Sequence, residues 1–154
     1  MLAFALRNDG WYLRQDIIWH RPNCMTESVK DRCTKSHEYV FLLTKDKKYF
    51  FDAEAIREPS TAKGYTSKNK RDVWSIPTKP IKEAHYATFP IELIKLLVMS
   101  GCPKGGLVLD PFIGVGTTAI VASQLERDYV GIDLNSEYIE IANNRILNTI
   151  KDKF

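Results

Sequence analysis

Apolar positions fall into short runs whose period changes along the chain, and each run predicts an element. Residues 2–7 read as the end of a helix, stopped by Asn8-Asp9-Gly10. Aromatic and β-branched residues fill 11–19 and 39–43, which predicts an antiparallel pair of strands, with the polar stretch 20–36 as the loop between them. Lys45-Asp46-Lys47-Lys48 predicts a turn before Tyr49-Phe50-Phe51. Residues 90–100 are apolar on most faces and read as a buried helix, closed by Gly101 and Pro103. The runs 107–110 and 128–133 read as buried parallel strands, with a helix starting near Ala119 between them. Asn135 predicts the cap of a last helix in which Tyr138, Ile141, Ala142 and Ile146 share one face. A strand–helix–strand–helix order of this kind places the chain in the α/β class.

Composition narrows the picture only a little. A length of 154 residues suits one domain, 1–154, and 44% hydrophobic content supports a core. The net charge of +3 says little about partners. Cys24, Cys33 and Cys102 have no metal-like spacing and read as reduced thiols of a cytoplasmic protein, so no metal is expected. No apolar run approaches the roughly 20 residues of a membrane span, and Met1-Leu2-Ala3-Phe4-Ala5-Leu6 lacks the basic start of a signal peptide. There is no internal repeat. From 59 to 71 there is no acid, while Lys63, Lys68, Lys70 and Arg71 lie among Ser, Thr, Gly and Asn, the composition of a mobile loop.

Candidate chemistry concentrates at 110–118, Asp-Pro-Phe-Ile-Gly-Val-Gly-Thr-Thr. A strand that ends in an acid and turns through glycines onto a helix N-terminus lets a ligand approach the backbone. The unpaired N–H groups there favour a carboxylate or a phosphate. Gly114-x-Gly116-x-x-Ala119 also fits a loose dinucleotide pattern. Two acids argue for a different ligand. Asp133 ends the second strand, close to the roughly twenty-residue offset at which a carboxylate takes ribose hydroxyls. Asp110 beside the turn would repel a pyrophosphate but accept a hydrogen bond from an ammonium group. S-adenosylmethionine carries a ribose, an ammonium, a carboxylate and no phosphate.

At this point the chain resembles the S-adenosylmethionine-dependent amino-methyltransferases of DNA, in the permuted (beta) order with the cofactor motif last. Asp110-Pro111-Phe112-x-Gly114-x-Gly116-Thr117-Thr118 is similar to the first motif of that family, and Gly131-Ile132-Asp133-Leu134-Asn135-Ser136-Glu137-Tyr138 to the second. His85-Tyr86-Ala87-Thr88-Phe89-Pro90, followed by Ile91-Glu92-Leu93-Ile94, resembles the segment over the methionine end of the cofactor. Residues 10–19 and Arg32-x4-His37-Glu38-Tyr39-Val40-Phe41 look like the hairpin region. The resemblance runs from about residue 2 to 146.

That resemblance implies a Rossmann-like methyltransferase sheet with helices on both faces. It implies cofactor contacts at Asp110, Pro111, Phe112, Gly114, Gly116, Thr117, Thr118, Asp133, Leu134, His85, Thr88, Phe89 and Pro90, with Thr117 or Thr118 donating to the methionine carboxylate. His85 reads equally well as a structural histidine. The family places a target-recognition segment at 59–73, so Lys63, Lys68, Lys70 and Arg71, with Arg21, Lys30 and Arg32 of the first loop, are candidates for DNA phosphates. Tyr65 or Asn69 would then be free to meet bases. A solvated charged loop is the plainer alternative for both stretches.

One family motif is missing. It consists of Asp, Asn or Ser, two prolines and an aromatic residue, and it grips the target amino group. The seven prolines at 22, 59, 77, 80, 90, 103 and 111 include no adjacent pair. In the permuted order the motif is expected upstream of Met1, together with a strand that neighbours 107–110. The expectation is therefore the cofactor-binding half of a methyltransferase acting on adenine or cytosine in DNA, with no catalytic residue of its own. Its expected partners are DNA and either an N-terminal fragment or a second copy at the open sheet edge. A non-catalytic binding subunit and a dinucleotide-dependent oxidoreductase are the rival readings.

Overall fold

The computed structural model describes residues 2–79 and 89–151. In chain order the elements are α1 (Leu2–Asn8), β1 (Tyr12–His20), β2 (His37–Thr44), a 3-10 turn (Glu54–Ile56), β3 (Glu58–Pro59), β4 (Ser67–Lys68) and β5 (Val73–Ser75). Then follow α2 (Ile91–Gly101), β6 (Leu107–Asp110), α3 (Thr117–Gln124), β7 (Asp128–Gly131) and α4 (Ser136–Lys151). They form two compact units, one of residues 1–49 and 70–78, the other of 50–69 and 79–154.

In the first unit α1 ends as its sequence predicts. Gly10 takes φ +90°, and the N–H groups of Gly10 and Trp11 return to the carbonyls of Arg7 and Leu6. β1 pairs antiparallel with β2 and parallel with β5, in the order β2-β1-β5. The register slips between Leu13 and Gln15. Arg14, at that irregularity, donates to the Thr44 hydroxyl (3.1 Å) and to the carbonyls of Asp46 and Lys47 (3.0 Å each). Its guanidinium also lies over the Tyr12 and Tyr49 rings. Alternation assigns the faces: Ile17, Trp19 and Trp74 are buried, whereas Tyr39, Phe41 and Val73 are exposed. The Trp19 indole N–H reaches the Ile76 carbonyl at 2.8 Å, so the buried ring keeps its donor satisfied.

The second unit holds the parallel pair β6–β7, in register from Leu107 opposite Asp128 to Asp110 opposite Gly131. α3 joins the two strands. Ile94 and Val98 of α2 pack on Val121 of α3, with Leu97, Val108 and Leu125 at the edge of that cluster. A second cluster joins Ile113, Ala119, Ile120 and Ile146, with Ile139 against it. The predicted face of α4 is the one that packs, and the Asn135 side chain caps that helix by accepting from the Glu137 N–H at 2.9 Å.

Three expectations need correction. The stretch 59–71 is not simply a loop: it is spanned by a hairpin in which β3, beginning at Glu58, pairs antiparallel with β4. Arg57 sets that hairpin, donating to the Ser67 hydroxyl (2.8 Å), the Ser67 carbonyl (3.0 Å) and the Asn69 side chain (3.4 Å). α2 is one-sided, burying Leu93, Ile94 and Val98 while Ile91, Glu92 and Lys95 stay exposed. The strands 107–110 and 128–133 are not buried. Leu107 and Leu109 are 63% and 61% exposed, and every residue of β7 is exposed. Among the described residues β6 pairs only with β7, so the apolar content that predicts burial has no cover on the other edge.

Close packing leaves no room at Gly131. A Cβ there would stand 2.7 Å from Ile113 Cγ1 and 2.9 Å from Ile113 Cβ. Gly131→Ala is predicted to destabilise the second unit by about 1–3 kcal/mol through overpacking, read as a lower urea midpoint. An unchanged midpoint would contradict this packing.

Candidate cofactor site

The site begins where β6 and β7 run out side by side. Hydrogen bonding continues past their ends, from Ile132 N–H to the Asp110 carbonyl and from Ile113 N–H to the Ile132 carbonyl, both 2.9 Å. These bonds hold the turn after β6 against the exit of β7. Side chains alternate along the turn. Ile113 and Val115 point into the core at 8% and 5% exposure, while Phe112 stands out at 86%. The two apolar anchors fix the turn from below and leave its outer side open.

The strand-end acids organise that outer side. Asp110 accepts from the Phe112 N–H (3.0 Å) and the Thr118 hydroxyl (2.6 Å), one bond on each oxygen. Asp133 accepts from the Gly114 N–H and the Asn135 N–H, both 2.9 Å, again one on each oxygen. A carboxylate has about four lone-pair sites, so each acid retains acceptor capacity for a ligand. Both acids are therefore turn caps, and that role leaves room for a second. The Asp133–Gly114 bond also ties the second strand's loop to the first strand's glycine turn.

The two glycines differ. Gly114 (φ +52°) has open space where a side chain would project, its nearest neighbour being the Phe112 carbonyl oxygen at 4.0 Å. That space leaves room for the close approach of a ligand that the sequence reading expects. Gly116 (φ +84°) instead faces inward, where a Cβ would stand 2.8 Å from the Ala142 Cβ. Its absence of a side chain serves the packing of α4 and the left-handed backbone before α3. As the N-cap residue of α3 it supplies no side-chain cap. Immediately after it, the Thr117 hydroxyl is buried and has no hydrogen-bond partner among the described residues. An unsatisfied buried hydroxyl is costly and calls for an explanation.

Other predicted residues are placed as follows. Pro111 is exposed on the turn, and Leu134 is fully exposed beyond Asp133. Pro90 is the N-cap residue of α2, and Phe89 is 54% exposed. Both line a cavity of about 180 Å³ together with Lys79, Ile91, Glu92 and Arg145. His85 and Thr88 lie outside the described residues. A larger cavity, about 630 Å³, follows the open edge of β6 between Leu107, Leu109 and α2, and meets the site only at Asp110 and Thr118.

The basic candidates divide. Arg21 is held by Glu38 at 3.2 Å and by the Lys35 carbonyl, and Arg32 by Glu27 (3.1 Å) and Asp31 (3.3 Å). Lys68 pairs with Glu58 at 3.5 Å, and the Lys70 ammonium lies 5.6 Å from the Trp74 ring centre. Lys30, Lys63 and Arg71 are exposed. Asn69 is engaged by Arg57, whereas Tyr65 is 70% exposed.

Sequence reasoning missed Ala142 and Arg145 as parts of the site. Arg145 donates from Nη1 to the Val115 carbonyl, inside the glycine turn. The signal was present: Arg145 falls seven residues after Tyr138, on the helix face already identified.

Comparison with known proteins fits this geometry. The family model for DNA methylase matches residues 1–144. The Type II methyltransferase M.SmaI of Serratia marcescens is 56% identical over 146 residues, 95% of this chain and 50% of that protein. M.Cfr9I of Citrobacter freundii is 54% identical over 145 residues, 94% of this chain and 48% of that protein. The chain spans about half the length of these curated relatives. The crystal structure of M1.HpyAVI in complex with SAM matches with a TM-score of 0.71 at 24% identity, over 94% of this chain and 67% of that one. The fold is that of the Rossmann-like methyltransferases, and the chain belongs to the DNA methylase family.

Proposed function

We propose that this chain is the cofactor-binding half of an S-adenosylmethionine-dependent DNA amino-methyltransferase. The observation that carries the proposal is the buried, unpartnered Thr117 hydroxyl at the start of α3, in a turn whose neighbours Gly114 and Thr118 are bonded to the strand-end carboxylates Asp133 and Asp110. These donors and acceptors match the polar groups of S-adenosylmethionine one by one. Thr117 and the uncapped first turn of α3 suit the methionine carboxylate. Asp110 suits the ammonium, and Asp133 the ribose hydroxyls. Phe112 and Leu134, exposed on either side, offer apolar surface to the adenine. A pyrophosphate would meet Asp110 at close range, which disfavours a dinucleotide.

S-adenosylmethionine, when bound, supplies a methyl group on a good leaving group, so the protein's task is chiefly placement. The residues of this chain hold the cofactor's amino-acid end and ribose. The target is an exocyclic amino nitrogen of adenine or cytosine, and a duplex base must leave the stack to be reached. Lys30 and Lys63 are exposed candidates for DNA phosphates, with Lys70 and Arg71 beside the hairpin, while Arg21, Arg32 and Lys68 neutralise carboxylates within the chain. The grip on the amino group comes, in this proposal, from a Pro-Pro motif on polypeptide equivalent to the other half of the relatives. A strand of that polypeptide would pair with β6 and cover Leu107 and Leu109. Self-association at the same edge is the alternative. The protein acts, in this reading, in the cytoplasm; among the described residues no helix is long and apolar enough to cross a membrane.

Two measurements test the proposal. Asp133→Ala removes a charge-assisted acceptor and the anchor of Gly114. Its affinity for S-adenosylhomocysteine is predicted to fall roughly ten- to hundredfold by calorimetry. Unchanged affinity would remove Asp133 from the site. Transfer of tritiated methyl groups to mixed-sequence DNA should be absent with this chain alone and should appear when the other half, taken from a relative such as M.SmaI, is co-expressed. Robust transfer by the purified monomer would show that the catalytic grip lies within these residues.

A further inference from the structure

We propose that Arg145 and Ala142 of α4 are positioning residues that hold the glycine turn in its cofactor-binding shape from behind. The proposal rests on the cofactor reading above and adds to it a device on an element that carries neither of the two strand-end acids. Three observations converge. The Arg145 guanidinium donates to the Val115 carbonyl, between the two glycines. Ala142 closes against Gly116 so tightly that a Cβ on the glycine would stand 2.8 Å from the Ala142 Cβ and 3.1 Å from its Cα. Arg145 also lines the small cavity formed by Phe89 and Pro90, so one side chain meets both the turn and the segment before α2.

The physical consequence is directional. Gly116 sits at φ +84°, a conformation open to glycine, and the contact with Ala142 selects it among those the glycine could adopt. The carbonyl of Val115 is pulled toward α4 by Arg145. That peptide plane is held at both ends, its carbonyl by Arg145 and the Gly116 N–H by the Ile113 carbonyl (3.0 Å), which fixes the backbone from which Thr117 and α3 begin. Ile146, one residue on, is buried with Ile113 and Ile120, so α4 cannot drift without moving the core under the turn. α4 thus determines how well the methionine carboxylate is received. Asp133, fixed separately by Asn135 and Gly114, serves the ribose end.

Two ligands separate these ends. S-adenosylhomocysteine carries the amino-acid group, while 5′-methylthioadenosine has the same nucleoside without it. Calorimetry on the 154-residue chain should show Arg145→Ala and Ala142→Val weakening S-adenosylhomocysteine about tenfold, with 5′-methylthioadenosine within about twofold of wild type. Arg145→Lys, which keeps one donor and the charge, should recover part of the loss. Should Ala142→Val fold poorly, Ala142→Ser adds a single oxygen at the same contact and is expected to show the same selective loss. Equal weakening of both ligands would overturn the inference in favour of general destabilisation, as would unchanged binding of S-adenosylhomocysteine. A wild-type chain that binds neither ligand would bring down the cofactor reading itself, and this inference with it.

Discussion

The parallel register of β6 with β7 is the constraint from which the rest of the site follows. Asp110 lies opposite Gly131, and the ladder continues through Ile132 and Ile113 beyond the strands. A slip of one residue would turn Ile113 out of the core and move Asp133 off the Gly114 N–H. The missing side chain of Gly131 is what allows Ile113 to reach its place. With the register set, each acid caps its own turn, the glycine loop is tied at both ends, and α3 starts directly after it. The turn lies beyond the carboxyl ends of parallel strands, the place where open α/β sheets generally bind ligands.

Much of this was legible in the sequence because local chemistry and tertiary demand agree there. Asp110, Gly114, Asp133 and Asn135 sit where strand ends, turns and helix caps require them, and the spacing predicts the observed strand–helix–strand unit. The sequence was silent on what depends on distant partners. Gly116 reads as a glycine for ligand approach, yet it is needed because Ala142, some twenty-six residues on, packs against it. Basic residues read as free for DNA include Arg21, Arg32 and Lys68, whose acids are brought to them by loop and hairpin geometry. The stretch 59–71 has loop composition, but Arg57, just outside it, organises a hairpin that spans it. No composition count contains a fork of hydrogen bonds.

The exposed strands have the opposite lesson. Leu107, Leu109 and Val130 are the residues of buried parallel strands, and their exposure shows a sheet whose apolar surface exceeds the cover this chain gives it. Cavity, exposed leucines and unpaired strand edge coincide along β6. The relatives, about twice as long, have the polypeptide to cover such an edge. In the proposed reading, binding of cofactor and gripping of the target amine are separable in space, one built on β6 and β7, the other on polypeptide that pairs with β6.

The central claim is that the turn 110–118 and the loop after β7 receive S-adenosylmethionine. The most direct measurement is a titration of 15N-labelled protein with S-adenosylhomocysteine, following backbone amide shifts. The account predicts the largest changes at Gly114, Gly116, Thr117, Thr118 and Leu134, with those of β1 and β2 unmoved. Shifts confined to the groove along Leu107 and Leu109, or none within 110–118, would contradict it.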